Sequence, residues 1–254
     1  MNEAGPCRGE TLATDHLVKV YRGADRPAVN KLTLSIGSGQ IFGVLGPNGA
    51  GKTTAISVMN TRLKPTSGSV TVCGIDVVKY PWRAKQLIGY VPQDIALFAE
   101  LSVRENLAFF GRVYGLRGKK LQQRINECAE FVGLEGNLDQ RVFTFSGGMK
   151  RRANLAAGLI HEPKVLFLDE PTVGIDPQSR NLILERLATL KDKTTMVYTT
   201  HYMREVELLC SHVVIMDAGE IIAEGPPQGL LSRYPSCANL EELFIALTGK
   251  ELRD

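Results

Sequence analysis

Eight consecutive residues, Gly46-Pro47-Asn48-Gly49-Ala50-Gly51-Lys52-Thr53, combine backbone freedom, a cation and a hydroxyl in an order suited to gripping a polyphosphate. Two glycines enclose four residues and are followed by Lys and then Thr, the pattern of a phosphate loop. The glycines let the backbone curl until its N–H groups point inward. Lys52 offers a point charge to the outer phosphates, and the Thr53 hydroxyl suits Mg²⁺. Composition alone would produce such a run in roughly one chain per hundred of this length, so the flanks decide. Gln40 to Leu45 reads as a buried strand entering the loop, and Thr54 to Met59 as the helix leaving it. A helix that begins at Lys52 sets unpaired N–H groups and the positive end of its dipole against the phosphates.

Downstream, Val165-Leu166-Phe167-Leu168 is a continuous apolar run that ends in Asp169-Glu170. Such a run marks a parallel strand covered on both faces. In phosphate-loop enzymes an Asp in that place holds the Mg²⁺ water shell opposite the loop's Ser or Thr, which assigns Asp169. Glu170 then comes within reach of a γ-phosphate, where it can orient or deprotonate the attacking water. A third loop, Ser146-Gly147-Gly148-Met149, admits two readings. Ser146 suits the N-cap of a helix over Lys150 to Ala157, and a Ser followed by two glycines at a helix start is equally an anion site.

The elements that must position these groups follow from pattern. Strand signals fill residues 12–72: Leu17 to Tyr21, Leu32 to Ile36 and Val70 to Val72, with glycine punctuation between them. Ile88 to Val91 is a further short strand, ended by Pro92. From Ser102 to about Glu162 the apolar spacing turns helical, as in Leu107, Phe110, Val113 and Tyr114. Met196 to Thr199 is another strand, Leu182 to Leu190 a helix, and His212 to Ala223 a hairpin turning at Asp217-Ala218-Gly219. The sum is an α/β core interrupted by an all-helical insertion of about residues 94–161.

Composition narrows the class. The 254 residues suffice to bury a proper core, and 44% hydrophobic with 22% charged residues is ordinary for a globular chain. A net charge of +3, with Lys and Arg dispersed apart from Lys150-Arg151-Arg152, argues against nucleic acid as a partner. Cys7, Cys73, Cys128, Cys210 and Cys237 are scattered, odd in number and without metal-ligand spacing, so reduced thiols in a cytosolic protein are expected. No apolar run reaches the ~18–20 residues that span a bilayer, and Met1 to Glu10 lacks the apolar core of a signal peptide. A cytoplasmic location is expected, with any membrane role borrowed from a partner.

Taken in order, Gly46 to Thr54, Gln93 after Pro92, Phe145 to Met149, Asp169-Glu170-Pro171, Gly174-Ile175-Asp176-Pro177 and His201 resemble the motifs of the ATP-binding cassette (ABC) ATPase family. The resemblance covers nearly the whole chain. It implies a single ABC ATPase domain over 1–254: a RecA-like phosphate-loop NTPase core with an N-terminal antiparallel β subdomain (1–93 and 162–230), a helical signature subdomain (94–161) and a C-terminal helical tail (231–254). It implies ATP and Mg²⁺ as ligands, with Gly46, Pro47, Asn48, Gly49, Ala50, Gly51, Lys52, Thr53 and Thr54 cradling the phosphates. Tyr21 matches the aromatic that stacks on adenine. Gln93 matches the glutamine that senses Mg²⁺ and the γ-phosphate, joining Thr53 and Asp169 at the metal. Ser146, Gly147 and Gly148 match the signature that reaches ATP held by a second subunit, Asp176 matches the loop crossing that interface, and His201 matches the switch histidine. The signature here reads Phe145-Ser146-Gly147-Gly148-Met149, where Leu-Ser-Gly-Gly-Gln is commonest; the Ser and both glycines are untouched.

Because phosphate loop and signature do not share a nucleotide within one family subunit, the resemblance implies a head-to-tail pair of identical chains with two composite sites. The runs Thr199 to Glu207 and Asn239 to Phe244 resemble the branch that exports drugs, lipids and polysaccharides. That implies a separate multi-span permease and a peripheral position on the cytoplasmic face of the membrane. The permease is expected to dock near Gln93 and residues 94–110. Two alternatives stay open: a soluble ATP-gated clamp without a permease, and the ATPase subunit of an importer.

Overall fold

The computed structural model describes residues 9–249. The chain opens with β1 (Glu10–Lys19), β2 (Val29–Gly37) and β3 (Ile41–Leu45), then α1 (Lys52–Met59). Next come β4 (Ser67–Val72), β5 (Ile75–Asp76), α2 (Pro81–Lys85) and β6 (Ile88–Val91). Helices α3 (Val103–Val113), α4 (Gly118–Phe131) and α5 (Gly147–Leu159) follow without an intervening strand. The chain then alternates through β7 (Val165–Asp169), α6 (Pro177–Thr189), β8 (Thr195–Thr199) and α7 (Met203–Leu209). A hairpin of β9 (His212–Asp217) and β10 (Glu220–Gly225) precedes α8 (Pro227–Arg233) and α9 (Leu240–Thr248).

Two sheets result. One is antiparallel, in the order β2-β1-β4-β5; the other has the order β10-β9-β3-β8-β7-β6 and is parallel except for its β10 edge. Side chains of the second sheet alternate between two cores, as the two-residue period of a strand requires. Ile41, Leu45, Leu166, Leu168, Met196 and Tyr198 pack toward the helical elements. Phe42, Val44, Val165, Phe167 and Val197 pack toward α1 and the antiparallel sheet. Val165 to Leu168 are fully buried, which explains why this strand reads as an unbroken apolar run.

The register places the chemistry. Thr199 is paired with Val44 on one side and Asp169 on the other, and Leu168 with Val91. The parallel strands β3, β8, β7 and β6 therefore release their following loops at one edge, where open α/β sheets bind their ligands.

Three sequence expectations need adjustment. Helix α6 begins at Pro177, not Leu182, because the Asp176 carboxylate caps it by accepting from the Ser179 N–H at 2.8 Å and Pro177 occupies the first helical position. The short helices α2, α7 and α8 lacked a periodic stretch long enough to announce them. Cys128, Cys210 and Cys237 are free thiols, but Cys73 is disulfide-bonded, against the expectation of reduced cysteines throughout.

Candidate functional site

The loop between β3 and α1 turns at Gly46, Gly49 and Gly51, all with positive φ. At Gly51 (φ 99°) the requirement is absolute, since a Cβ there would stand 2.2 Å from the Ala28 carbonyl oxygen. Asn48 and Gly49 are exposed at the tip, while Pro47 and Ala50 pack inward. No acidic residue occupies the first turn of α1, and its N-cap Gly51 has no side chain to cap the first N–H groups. Lys52 Nζ donates to the Gly46 carbonyl at 2.5 Å and the Pro47 carbonyl at 3.0 Å. Burial pushes the Lys52 pKa down, and the nearby Glu170 and Asp169 carboxylates oppose that shift. Thr53 lies exposed beside it, and Thr54 Oγ1 is 3.2 Å from the Tyr21 hydroxyl. Tyr21 is thereby held alongside the phosphate loop and is 45% exposed, and Lys19 Nζ sits 5.6 Å from the ring centre.

Across the sheet edge, Asp169 Oδ1 accepts from the Thr199 hydroxyl at 2.8 Å and Oδ2 from the Tyr90 hydroxyl at 3.4 Å. Arg62 in turn donates to the Tyr90 hydroxyl at 3.1 Å. Glu170 adopts φ 47°, an uncommon conformation for a side-chain-bearing residue. Its N–H is tied at 3.1 Å to both the Thr199 carbonyl and the Thr199 hydroxyl. Strain of this kind persists where the surroundings over-determine it, and such residues cluster at working sites.

Two side chains from two other loops meet at Glu170. Gln93 Nε2 donates to Glu170 Oε2 at 3.1 Å, and His201 Nδ1 lies 3.4 Å from the same oxygen. The Gln93 carbonyl accepts from Arg151 of α5, so the helix that follows the Ser146 loop also grips the Gln93 loop. Tyr90, Arg62, Thr199 and Arg151 escaped the sequence reading. Only Arg151 carried a signal, as the middle of the basic run Lys150-Arg151-Arg152.

The Ser146 loop stands apart. Ser146 caps α5 by accepting from the Met149 N–H at 3.3 Å, and among the described residues no hydrogen bond joins it to the phosphate loop. Gly148 packs against the start of α6, where an added Cβ would meet Ser179 Cβ at 2.7 Å and Asp176 Oδ2 at 3.0 Å. Ser146, Gly147 and Asp176 are exposed on neighbouring turns. Gly148→Ala is expected to cost about 1–3 kcal/mol through overpacking, a fall of roughly 2–12 °C in melting temperature. At Gly147 the nearest atom to an added Cβ is the Gly174 oxygen at 3.7 Å, so Gly147→Ala is expected to melt like the parent. Equal melting temperatures for the two variants would refute the close packing.

Comparison with known proteins gives the arrangement a family. The family described as ABC transporter matches residues 29–173. The linearmycin resistance ATP-binding protein LnrL of Bacillus subtilis (strain 168) is 47% identical over 223 residues, covering 87% of this chain and 71% of that protein. The Nod factor export ATP-binding protein I of Cupriavidus metallidurans is 43% identical over 224 residues, covering 88% of this chain and 73% of that one. A solved structure titled "Structure of ATP binding subunit of ABC transporter" superposes with a TM-score of 0.85 at 27% identity, covering 94% of this chain and 99% of the other. The chain belongs to the ABC transporter family, as an ATP-binding and ATP-hydrolysing subunit.

Proposed function

We propose that the chain drives a membrane exporter, pairing head to tail with a second copy around ATP and docking on a separate multi-span permease. The observation that carries the chemistry is the meeting of Gln93 and His201 on one oxygen of Glu170, at the sheet edge that also bears Lys52. Export is supported by the Nod factor relative, whose name states it.

In this reading the N–H groups of Gly46 to Thr54 and the Lys52 ammonium bind the phosphates. Thr53, Asp169 and Gln93 supply hydroxyl, carboxylate and amide oxygens, a hard donor set that fits Mg²⁺ held together with substrate phosphates. Mg²⁺, when bound, neutralises charge on the phosphate oxygens. The Thr199 and Tyr90 hydroxyls orient Asp169 toward that role. Glu170 aligns the attacking water and takes its proton, while Gln93 and His201 present donors to the γ-phosphate. Ser146, Gly147 and Gly148 reach the γ-phosphate bound by the other copy, and Asp176 crosses the same interface. Closure is favoured only by contacts that ATP makes in the closed pair, so loss of the γ-phosphate releases it.

Tyr21 stacks on the adenine ring. Base stacking on an aromatic is worth about 1–3 kcal/mol, so Tyr21→Ala is expected to weaken ATP binding roughly 5–150-fold while Tyr21→Phe binds normally. Calorimetric titration checks this, and an unchanged affinity in the alanine variant would remove Tyr21 from the site.

The division into a core (1–93 and 162–230), a helical signature unit (94–161) and a C-terminal helical tail (231–254) is proposed with this function, its residues 1–8 and 250–254 lying outside the described residues. Among the described residues no helix is long and apolar enough to cross a membrane, so attachment to the cytoplasmic face is assigned to the permease. An exposed aromatic cluster supports the docking region: Phe98 and Phe109 are 49% and 43% exposed, with ring centres 5.0 Å apart. Affinity purification from detergent-solubilised membranes tests the reading. Co-purification of a multi-span protein is expected, and recovery of water-soluble partners alone would overturn it.

A further inference from the structure

Glu205 on α7 is 2% exposed, a place where a carboxylate survives only with partners. It has them. Oε1 accepts from the Thr172 hydroxyl at 2.7 Å, and Oε2 accepts from the Tyr198 and Thr200 hydroxyls, each at 2.7 Å. Arg180 Nε lies 3.7 Å from Oε1. Burial, followed by the Glu205 charge, pushes the Tyr198 phenol well above its ordinary pKa, which keeps it a neutral donor.

The partners come from the segments that bear the site. Thr172 lies two residues beyond Glu170, and Thr200 directly precedes His201. The Thr200 hydroxyl also accepts from the Tyr202 N–H at 3.0 Å, so the turn carrying His201 is closed by an oxygen that Glu205 holds. Arg180 belongs to α6, the helix capped by Asp176, and its guanidinium sits 4.3 Å from the Tyr202 ring centre. That ring lies 4.3 Å from the His201 ring. The network thus flanks His201 on both sides and also reaches the Glu170 segment and α6.

We propose that Glu205 is a positioning residue for ATP hydrolysis. It holds the His201 turn against the Glu170–Thr172 segment and α6, so that His201 and Asp176 take their working positions together. This rests on the reading of His201 as a γ-phosphate donor, and the test separates the two.

The test is a double-mutant cycle of Glu205→Gln and His201→Ala in the full chain, with ATPase kinetics, ATP affinity and melting temperature measured throughout. Glu205→Gln is expected to lower kcat about tenfold or more with ATP affinity within about threefold of the parent. In the His201→Ala background it is expected to lower the residual single-turnover rate less than about twofold. The isosteric Thr200→Val, which leaves the carboxylate in place, should show the same non-additivity, and it carries the test if Glu205→Gln does not fold. Equal factors in both backgrounds, tracking the melting temperature, would overturn the positioning role while leaving His201 its own. Parent-like kcat in both Glu205→Gln and Thr200→Val would also overturn it. A His201→Ala variant with parent-like kcat would instead refute the His201 reading on which the proposal stands.

Discussion

Glu170→Gln is expected to bind ATP as the parent does and to lose nearly all turnover, a fall in kcat of roughly 10²–10⁴, the range spanned by a well-placed general base. The substitution keeps the shape of the side chain and an oxygen that can still accept from Gln93, so the three-residue meeting at 3.1–3.4 Å survives. What disappears is the charge and the proton affinity that draw a proton from water. The backbone is already over-determined: φ 47° at residue 170 is held by two 3.1 Å contacts to Thr199, and these are indifferent to the side chain. Loss of activity can therefore be read as chemistry and not as local collapse. Steady-state phosphate release beside calorimetric ATP binding checks both halves, and a variant retaining normal turnover would remove Glu170 from the catalytic role.

Lys52→Ala is the second large effect, and it acts on binding. Hydrogen bonds to charged groups contribute about 1.5–3 kcal/mol, so removing the ammonium is expected to weaken ATP binding roughly 10–150-fold. Lys52 also holds the loop itself through the carbonyls of Gly46 and Pro47, at 2.5 and 3.0 Å, so truncation loosens the cradle as well as discharging it. Lys52→Arg is not expected to rescue, because a planar fork does not replace a compact point charge within a partly buried loop. Fluorescent-nucleotide titration measures the difference; unchanged affinity in the alanine variant would contradict the phosphate-loop assignment.

How much of this was legible before the fold is clearest at particular residues. The phosphate loop could be read because its requirements are local: positive φ at Gly46 and Gly51, a Lys and a hydroxyl at fixed offsets, and a strand and helix on either side. Val165 to Asp169 could be read because burial on both faces leaves an unbroken apolar run. Tyr90 was beyond reach. It lies 79 positions from Asp169, and only the β6–β7 pairing brings its hydroxyl there. The hold of Arg151 on the Gln93 carbonyl spans 58 positions and depends on how α5 sits against the sheet. Thr199 looked like one more β-branched strand residue, yet its hydroxyl orients Asp169 and anchors the Glu170 backbone. The start of α6 was the readable miss: an Asp-Pro pair followed by Ser is a cap signal in its own right.

In the proposed pair each chain carries half of two sites, the phosphate loop on one copy being completed by Ser146, Gly147 and Gly148 of another. Sedimentation velocity of the Glu170→Gln variant, at saturating ATP and again at saturating ADP, tests it most directly. A species of twice the monomer mass with ATP, reverting to monomer with ADP, is the predicted result. A variant that binds ATP and stays monomeric at saturation would contradict the account.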